Sequence, residues 1–401
     1  MNAPRFLQIH CLHSYAAALL NRDDSGLAKR LTYGGVSRTR ISSQCLKRHW
    51  RMAREVDDEG TVIRDDPHAL QHLAGYVDSS RSRQLVTEKV IAPLRERFPE
   101  DVVAALSQWF QWAIYSGKAD KKPKKRGEKE KADDKKGRPT LLFGQPELNW
   151  LQQQFRDLAE EAGNDADIAF KLGSKWSDSF KETIKLWREN NCLPAGLVAA
   201  LFGRMVTSDP AANIDAPVHV AHAFTVHGEE SESDYFTAVD DLKKDEDDSG
   251  ADTIQETELT SGLFYGYVVI DLPALVSNCG GDKDLAGRVI DHLVHLIAEV
   301  SPGAKLGSTA PYGRAGFMLL EVGDRQPRSL AESFRKPAKP DLDAAVVQLS
   351  KQLGKFDHAY ATGERRICLN LSDAPLDGAP TGSIADLGRW AQGKVLELAD
   401  V

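Results

Sequence analysis

The chain has 401 residues, more than one ordinary hydrophobic core accommodates, so two or three structural units, interleaved along the sequence or not, are expected. Its 41% hydrophobic and 27% charged residues are those of a soluble globular protein, no apolar run approaches a membrane span, and the start, MNAPRFLQIHCLHSY, lacks the apolar core of a signal peptide. A cytoplasmic protein with no membrane partner is predicted, and five scattered cysteines without a CxxC pair argue for reduced thiols rather than a disulfide frame or zinc knuckle.

The net charge of −8 is strongly segregated. Residues 1–55 hold ten Lys/Arg against three Asp/Glu, residues 118–138 hold eleven against five, and residues 229–258 hold thirteen acids against two lysines. This asymmetry predicts a basic surface for a polyanion on an otherwise acidic protein, although the 118–138 run also reads as a solvated loop.

In chain order, Phe6–Leu12 alternates as a strand, and the polar stretch 20–35 reads as a loop. Residues 34–54 carry six lysines and arginines and no acid. Arg38 and Arg40 flank an extended run, Ser42 and Ser43 suit an N-cap, and Lys47, Arg51 and Arg54 recur on one face of the following helix, with Leu46, Trp50 and Ala53 on another. A helix N-terminus beside such cations is an anion-binding corner. Helices are predicted near 86–97, 100–115, 146–162, 164–171, 174–189 and 193–206, the last with Pro194 in its first turn. Strands at 218–226 and 263–272 bracket a long acidic arm; a helix at 282–300, a strand at 317–322, and a tail with at least one helix and a strand near 367–371 complete the chain. Stripped of its insertions, the order is strand, helix, strand, strand, helix, strand, which is ferredoxin-like or RRM-like within an α+β class.

Histidines fall in pairs: His10/His13, His68/His72, His219/His222 and His292/His295. His292 and His295 share a helix face, but no third ligand stands beside them in sequence, so packing competes with metal binding. His10 and His13 are the candidate general acid/base pair for a metal-independent ribonuclease. Asp23-Asp24 and Asp240-Asp241 lack a third ligand for a two-metal site. The glycine-rich loop 301–316 offers Lys305 and backbone N–H groups to a phosphate. Met205 and Phe236 are candidates for contact with a base.

The runs LNRDD (20–24), RISSQCLKR (40–48), GRM (203–205), AHAFTVH (221–227), DYFTAVDDL (234–242), SGLFY (261–265) and PGAK (302–305) resemble, in order, the CasC family, the repeated backbone of the type I-E CRISPR Cascade complex. The resemblance implies an RRM-like palm (1–56, 193–225, 261–401), a helical fingers insertion (57–192) and a protruding thumb (226–260). It implies a non-catalytic protein without cofactor or metal that oligomerises along a CRISPR guide RNA and presents it to target DNA. Its implied partners are further copies of itself, the large, small, cap and repeat-processing subunits, and a recruited helicase-nuclease. The implied RNA contacts are Arg22, Lys29, Ser42, Gln44, Lys47, Arg51 and Arg204, with Lys305, Lys336 and Lys339. Phe236, Thr237 and Val239 match a base-displacing wedge, and Met205 its apolar counterpart. The rival reading is a metal-independent CRISPR endoribonuclease on an RRM-like fold. The lysine-rich run 118–138 is outside the family pattern and is read as a solvated loop or a contact to target DNA.

Overall fold

A computed structural model describes residues 4–57, 59–115, 122–124, 138–237 and 254–399. Val239, the Asp240-Asp241 pair and most of the 118–138 run lie outside the described residues. The class is α+β, and the chain forms two compact units, one of Met1–Leu73, Val218–Pro273 and Lys283–Val401, the other of Ala74–Pro217 and Ala274–Asp282. Residues 57–73, expected with the helical insertion, belong to the sheet unit, and residues 193–217, expected with the sheet, belong to the helical unit.

The sheet unit is built on β1 (Phe6–Ala18), whose apolar alternation continues past the predicted Leu12. β2 (Arg30–Tyr33) and β3 (Val36–Ile41) form a hairpin within what reads as loop and basic corner. The turn is Gly34-Gly35, with φ of +64° and +78°, the left-handed pair that two-residue hairpins require. β4 (Arg54–Val56) and β5 (Val62–Asp65) pair separately, while β6 (Ser79–Ser82) and β7 (Leu141–Gly144) pair in the helical unit. β8 (Val218–Val220), β9 (Ala223–Thr225), β10 (Glu230–Thr237), β11 (Ile254–Asp271), β12 (Ala315–Gly323) and β13 (Arg365–Asn370) complete the set. The large sheet runs β13-β12-β1-β11-β9-β3-β2, with β8 and β10 also on β11, and its ladders are antiparallel.

Both faces of this sheet are covered. Alternate residues of β1 (Cys11, His13, Tyr15) face Leu46 and Trp50 of the helix Ser43–Arg51 and Ile297 of the helix Lys283–Glu299. On the opposite face Leu12, Tyr265 and Leu319 pack under Leu330, Phe334 and the helix Leu342–Tyr360. His10 and His13, three apart on β1, therefore lie on opposite faces and share no site.

His10 is fully buried; its Nδ1 lies 2.8 Å from the Tyr265 hydroxyl and its Nε2 3.0 Å from Glu321 Oε2. The same carboxylate accepts from Arg328 at 2.5 and 2.8 Å and from Arg366 Nε at 2.6 Å. Burial would raise the Glu321 pKa, and the hydrogen bonds from Arg328 and His10 outweigh it, holding the carboxyl far below the usual range. Burial pushes His10 down, against the pull of Glu321. His13 Nε2 donates to the Ala298 carbonyl at 3.2 Å, and burial pulls its pKa down to about 4.

The helical unit packs helices Glu100–Tyr115, Gln145–Ala162 and Ala166–Glu189 around Phe110, Phe155 and Trp176. Ala166–Glu189 is one helix where the sequence suggested two, because Gly173 admits the Trp109 ring against the helix backbone rather than breaking it; a Cβ there would lie 2.7 Å from Trp109. The predicted 193–206 helix shrinks to Leu197–Phe202, cut at both ends by Gly196 and Gly203 with φ of +83° and +79°. Pro194 thus precedes the helix.

Two consequences are measurable. A Cβ on Gly34 would sit 1.7 Å from the Arg335 carbonyl oxygen in a backbone region that already disfavours side chains, so Gly34→Ala should cost about 2 kcal/mol or more in denaturant unfolding. His13 takes its proton at about pH 4 when folded and near pH 6.5 when unfolded, so protons favour the unfolded chain between these values. Stability should fall by about 3 kcal/mol from this group as pH drops from about 6.5 to 4, and His13→Gln should flatten that slope; the Glu321 contribution is lost only below the ordinary carboxylate range.

Candidate nucleic-acid interface

The basic corner is laced together by backbone. Asp23 Oδ1 accepts from the N–H of Ser25 and Leu27 at 2.9 and 3.1 Å, and Arg22 bridges Ala28, which leaves the Arg22 side chain exposed. Asn21 Oδ1 accepts from Ser42 N at 2.9 Å, its carbonyl accepts from Lys29 N at 2.9 Å, and the Lys29 carbonyl accepts from Arg40 N at 2.7 Å. Arg22, Lys29 and Ser42, distant in sequence, thereby come to one place. Arg30 is paired with Glu229 and Glu258, which ties the corner to the root of the β10–β11 hairpin.

Ser42 is the N-cap, with extended backbone and its Oγ accepting from Cys45 N at 3.3 Å. The first turn of Ser43–Arg51 has no acid, so the positive end of the helix is left unneutralised, while Arg48, His49 and Arg51 suit its negative end. Trp50 and Ala53 are buried as predicted; Lys47 and Arg51 are half-buried, and Gln44 and Arg48 are exposed. Burial lowers the Lys47 pKa, as for a lysine whose stem is packed and whose head is held near the protein. Ala304 N donates to the Leu19 carbonyl at 2.9 Å, bringing the 302–309 loop to the same corner, where Lys305 Nζ donates to Thr257 Oγ1.

Lys336 and Lys339 are exposed on a loop held from below by Arg38. Arg38, predicted to face an anion, is fully buried; Nη1 donates to the Thr225 carbonyl at 3.0 Å and Nη2 to the Phe334 carbonyl at 2.9 Å. Its alternation along β3 points it inward, where backbone carbonyls take the place of a phosphate. Arg54 also departs from expectation: the helix ends at Arg51, and Arg54 lies in β4, 3.5 Å from Asp65.

In the helical unit Arg204 turns inward in the same way. It is buried, with Nη1 2.6 Å from Glu147 Oε2 and Nε donating to the Ala212 carbonyl at 2.8 Å. Glu147 also accepts from Arg188 at 2.6 Å, and Arg188 reaches Asp209 at 2.7 Å. This cluster closes the helical core, so the Arg204 guanidinium holds the fold. Its neighbour Met205 is 79% exposed. Phe236 and Thr237 end β10 opposite Gln255 and Ile254.

The sequence reading missed Arg48, exposed between Lys47 and Arg51, and Arg314, exposed beside the Lys305 loop. Both stand in stretches already singled out, yet neither has a periodicity that separates it from its neighbours.

Arg204 and Met205 should separate experimentally. Arg204→Ala leaves Glu147 buried with one partner fewer and should destabilise the helical unit by about 3 kcal/mol, whereas Met205→Ala should stay within about 0.5 kcal/mol of the parent in the same melt.

A solved structure of a CRISPR RNA-guided surveillance complex, pre-nicking, contains a chain that superposes with a TM-score of 0.76 at 24% identity, covering 97% of this chain and 100% of that one. A second CRISPR RNA-guided surveillance complex gives 0.56 at 19% identity, covering 96% and 99%. These likenesses establish a common fold. No curated protein matches the chain. Among the described residues no helix is long and apolar enough to cross a membrane. A family model described as CT1975-like protein matches residues 7–390, nearly the whole sequence, and the chain therefore belongs to the CT1975-like family of Cas proteins.

Proposed function

We propose that this protein is the RNA-binding backbone subunit of a type I-E CRISPR surveillance complex, non-catalytic and repeated along the guide. The observation that carries the reading is the corner itself: Arg22 and Lys29 drawn to an acid-free helix N-terminus capped by Ser42, with Lys47 and Arg51 further along the same helix and Lys305 on the loop that joins the corner. Cations and helix termini bind phosphates without reading bases, as a protein serving many guides must, and pairing with target DNA supplies the sequence.

Further support comes from the sheet. Taking β12, β1, β11 and β9 as the four strands, their order with the helices Ser43–Arg51 and Lys283–Glu299 matches the ferredoxin-like or RRM-like palm, the helical unit corresponds to fingers, and the β10–β11 hairpin to a thumb. Because both faces of the sheet are covered, bases are not stacked on it in the manner of an isolated RRM. RNA is instead taken along loops and helix ends, with Phe236, Thr237 and Val239 of one copy and Met205 of another flanking a displaced base. The partners in this reading are guide RNA, target DNA, further copies, the other complex subunits and a recruited helicase-nuclease. His10, buried, and His13, half-buried, lie on opposite faces of β1, which supports the scaffold reading over the ribonuclease one.

Charge reversal, Lys47→Glu with Arg51→Glu, should weaken binding to unrelated guide sequences to a similar extent, and should reduce the slope of log affinity against log salt by roughly one to two. Filter binding over a salt series measures both. An effect confined to one guide sequence, or RNA cleavage abolished by His10→Ala or His13→Ala, would overturn the reading.

A further inference from the structure

We propose that Tyr312, with Arg314 beside it, is a stacking platform for an unpaired base of the RNA; the platform rests on the RNA-binding function proposed above and extends it from phosphates to bases. Among the described residues Tyr312 is the most exposed aromatic side chain, at 76%, and the Arg314 side chain is 81% exposed. Other tyrosines of the sheet unit are engaged: Tyr15 and Tyr33 lie edge-on to Phe264 and Phe224, and Tyr267 donates to Gln8 Oε1 at 2.7 Å. The Tyr312 side chain has neither kind of contact among the described residues.

The backbone around this ring is nevertheless fixed. Ser301 Oγ donates to the Gly313 carbonyl at 2.8 Å and accepts from Gly313 N at 2.9 Å, which closes the 301–313 loop at its neck. Gly313 lies so close to β1 that a Cβ there would be 2.9 Å from the Ser14 carbonyl oxygen. Pro311 is buried, and around it Tyr312 N donates back to the Ala310 carbonyl at 2.7 Å. Both neighbours of Tyr312 are thus anchored while its ring is turned to solvent. A ring placed in advance loses little conformational freedom when something stacks on it.

The same loop carries Lys305 to the basic corner. The helical turn Leu306–Thr309 and the tight turn at Pro311 keep the Tyr312 Cα within about 15 Å of the Lys305 Cα, so a short run of one strand can touch both. Arg314 Nη2 stands 3.4 Å from Glu299 Oε1, a loose and exposed pair that leaves guanidinium N–H groups for a phosphate. Every base has a π face, so the platform adds affinity without adding sequence preference. Only an unpaired base offers that face, which makes single-stranded RNA the occupant.

Two probes separate base from phosphate: an oligouridylate of about 30 nucleotides and an abasic ribose-phosphate chain of the same length, each bound to the full-length protein over a salt series. Tyr312→Ala should weaken oligouridylate binding about tenfold with an unchanged salt slope, leave the abasic chain unaffected, and melt as the parent does. Tyr312→Phe should retain the parent's affinity, because the ring and not the hydroxyl does the stacking. Arg314→Ala should weaken both probes and lower the salt slope by about one. Oligouridylate affinity unchanged in Tyr312→Ala, lost equally in Tyr312→Phe, or matched by an equal loss on the abasic chain would overturn the proposal. So would a change in RNA-free self-association of Tyr312→Ala on sedimentation, which would assign the ring to contact between copies. Lys47→Glu with Arg51→Glu keeps the two proposals apart: if it weakens both probes while Tyr312→Ala changes neither, the platform fails and RNA binding stands; if the parent binds neither probe, both fail.

Discussion

Every backbone N–H and C=O along a buried strand needs a partner, and β11 meets that requirement over Ile254–Asp271 by pairing with different strands in succession. On one edge lies β1; on the other lie β8, β9 and β10, each covering a different part. The portion next to β1, β8 and β9 is the middle of the sheet, and Ile254–Leu259 pairs with β10 alone among the described residues. The hairpin is therefore a continuation of the central strand. The backbone of Phe236 and Thr237 is registered to the sheet by an uninterrupted ladder, and Glu258 and Glu229 at the hairpin's root hold Arg30 of the basic corner.

Buried charge fixes the remaining loops. Arg38 binds the carbonyls of Thr225 and Phe334, Glu321 gathers His10, Arg328 and Arg366, and Glu147 gathers Arg188 and Arg204. Each group is costly to desolvate, and each offsets that cost with several short, charge-assisted hydrogen bonds. Such clusters specify geometry: Arg38, with Gly34 pressed against Arg335, determines where Lys336 and Lys339 emerge. The surface cations can then be few, because the buried ones place them.

The corner relies on diffuse, salt-sensitive attraction between many cations and a polyanion, and needs only approximate placement.

Local rules sufficed for much of the chain. Alternation gave β1 and β12, the Ser42 cap and the Leu46, Trp50, Ala53 stripe gave the basic helix and its buried face, and the charge excess marked the corner. Order in sequence gave the strand–helix pattern of the sheet unit. What alternation could not tell is which arginines turn inward: Arg38 and Arg204 carry the same charge as Arg22 and Arg51, and only the packing of Phe334 and Glu147 around them makes them internal. Hairpin β2–β3 was hidden because its strands are short and polar and its Gly-Gly turn reads equally as loop. The meeting of His68 with His295 has no sequence signal at all, since the contact crosses the whole inserted unit. The sequence by itself thus determined the period, charge and order of the elements, which are local properties; the tertiary structure decided burial and long-range neighbours, because those depend on what closes over each side chain.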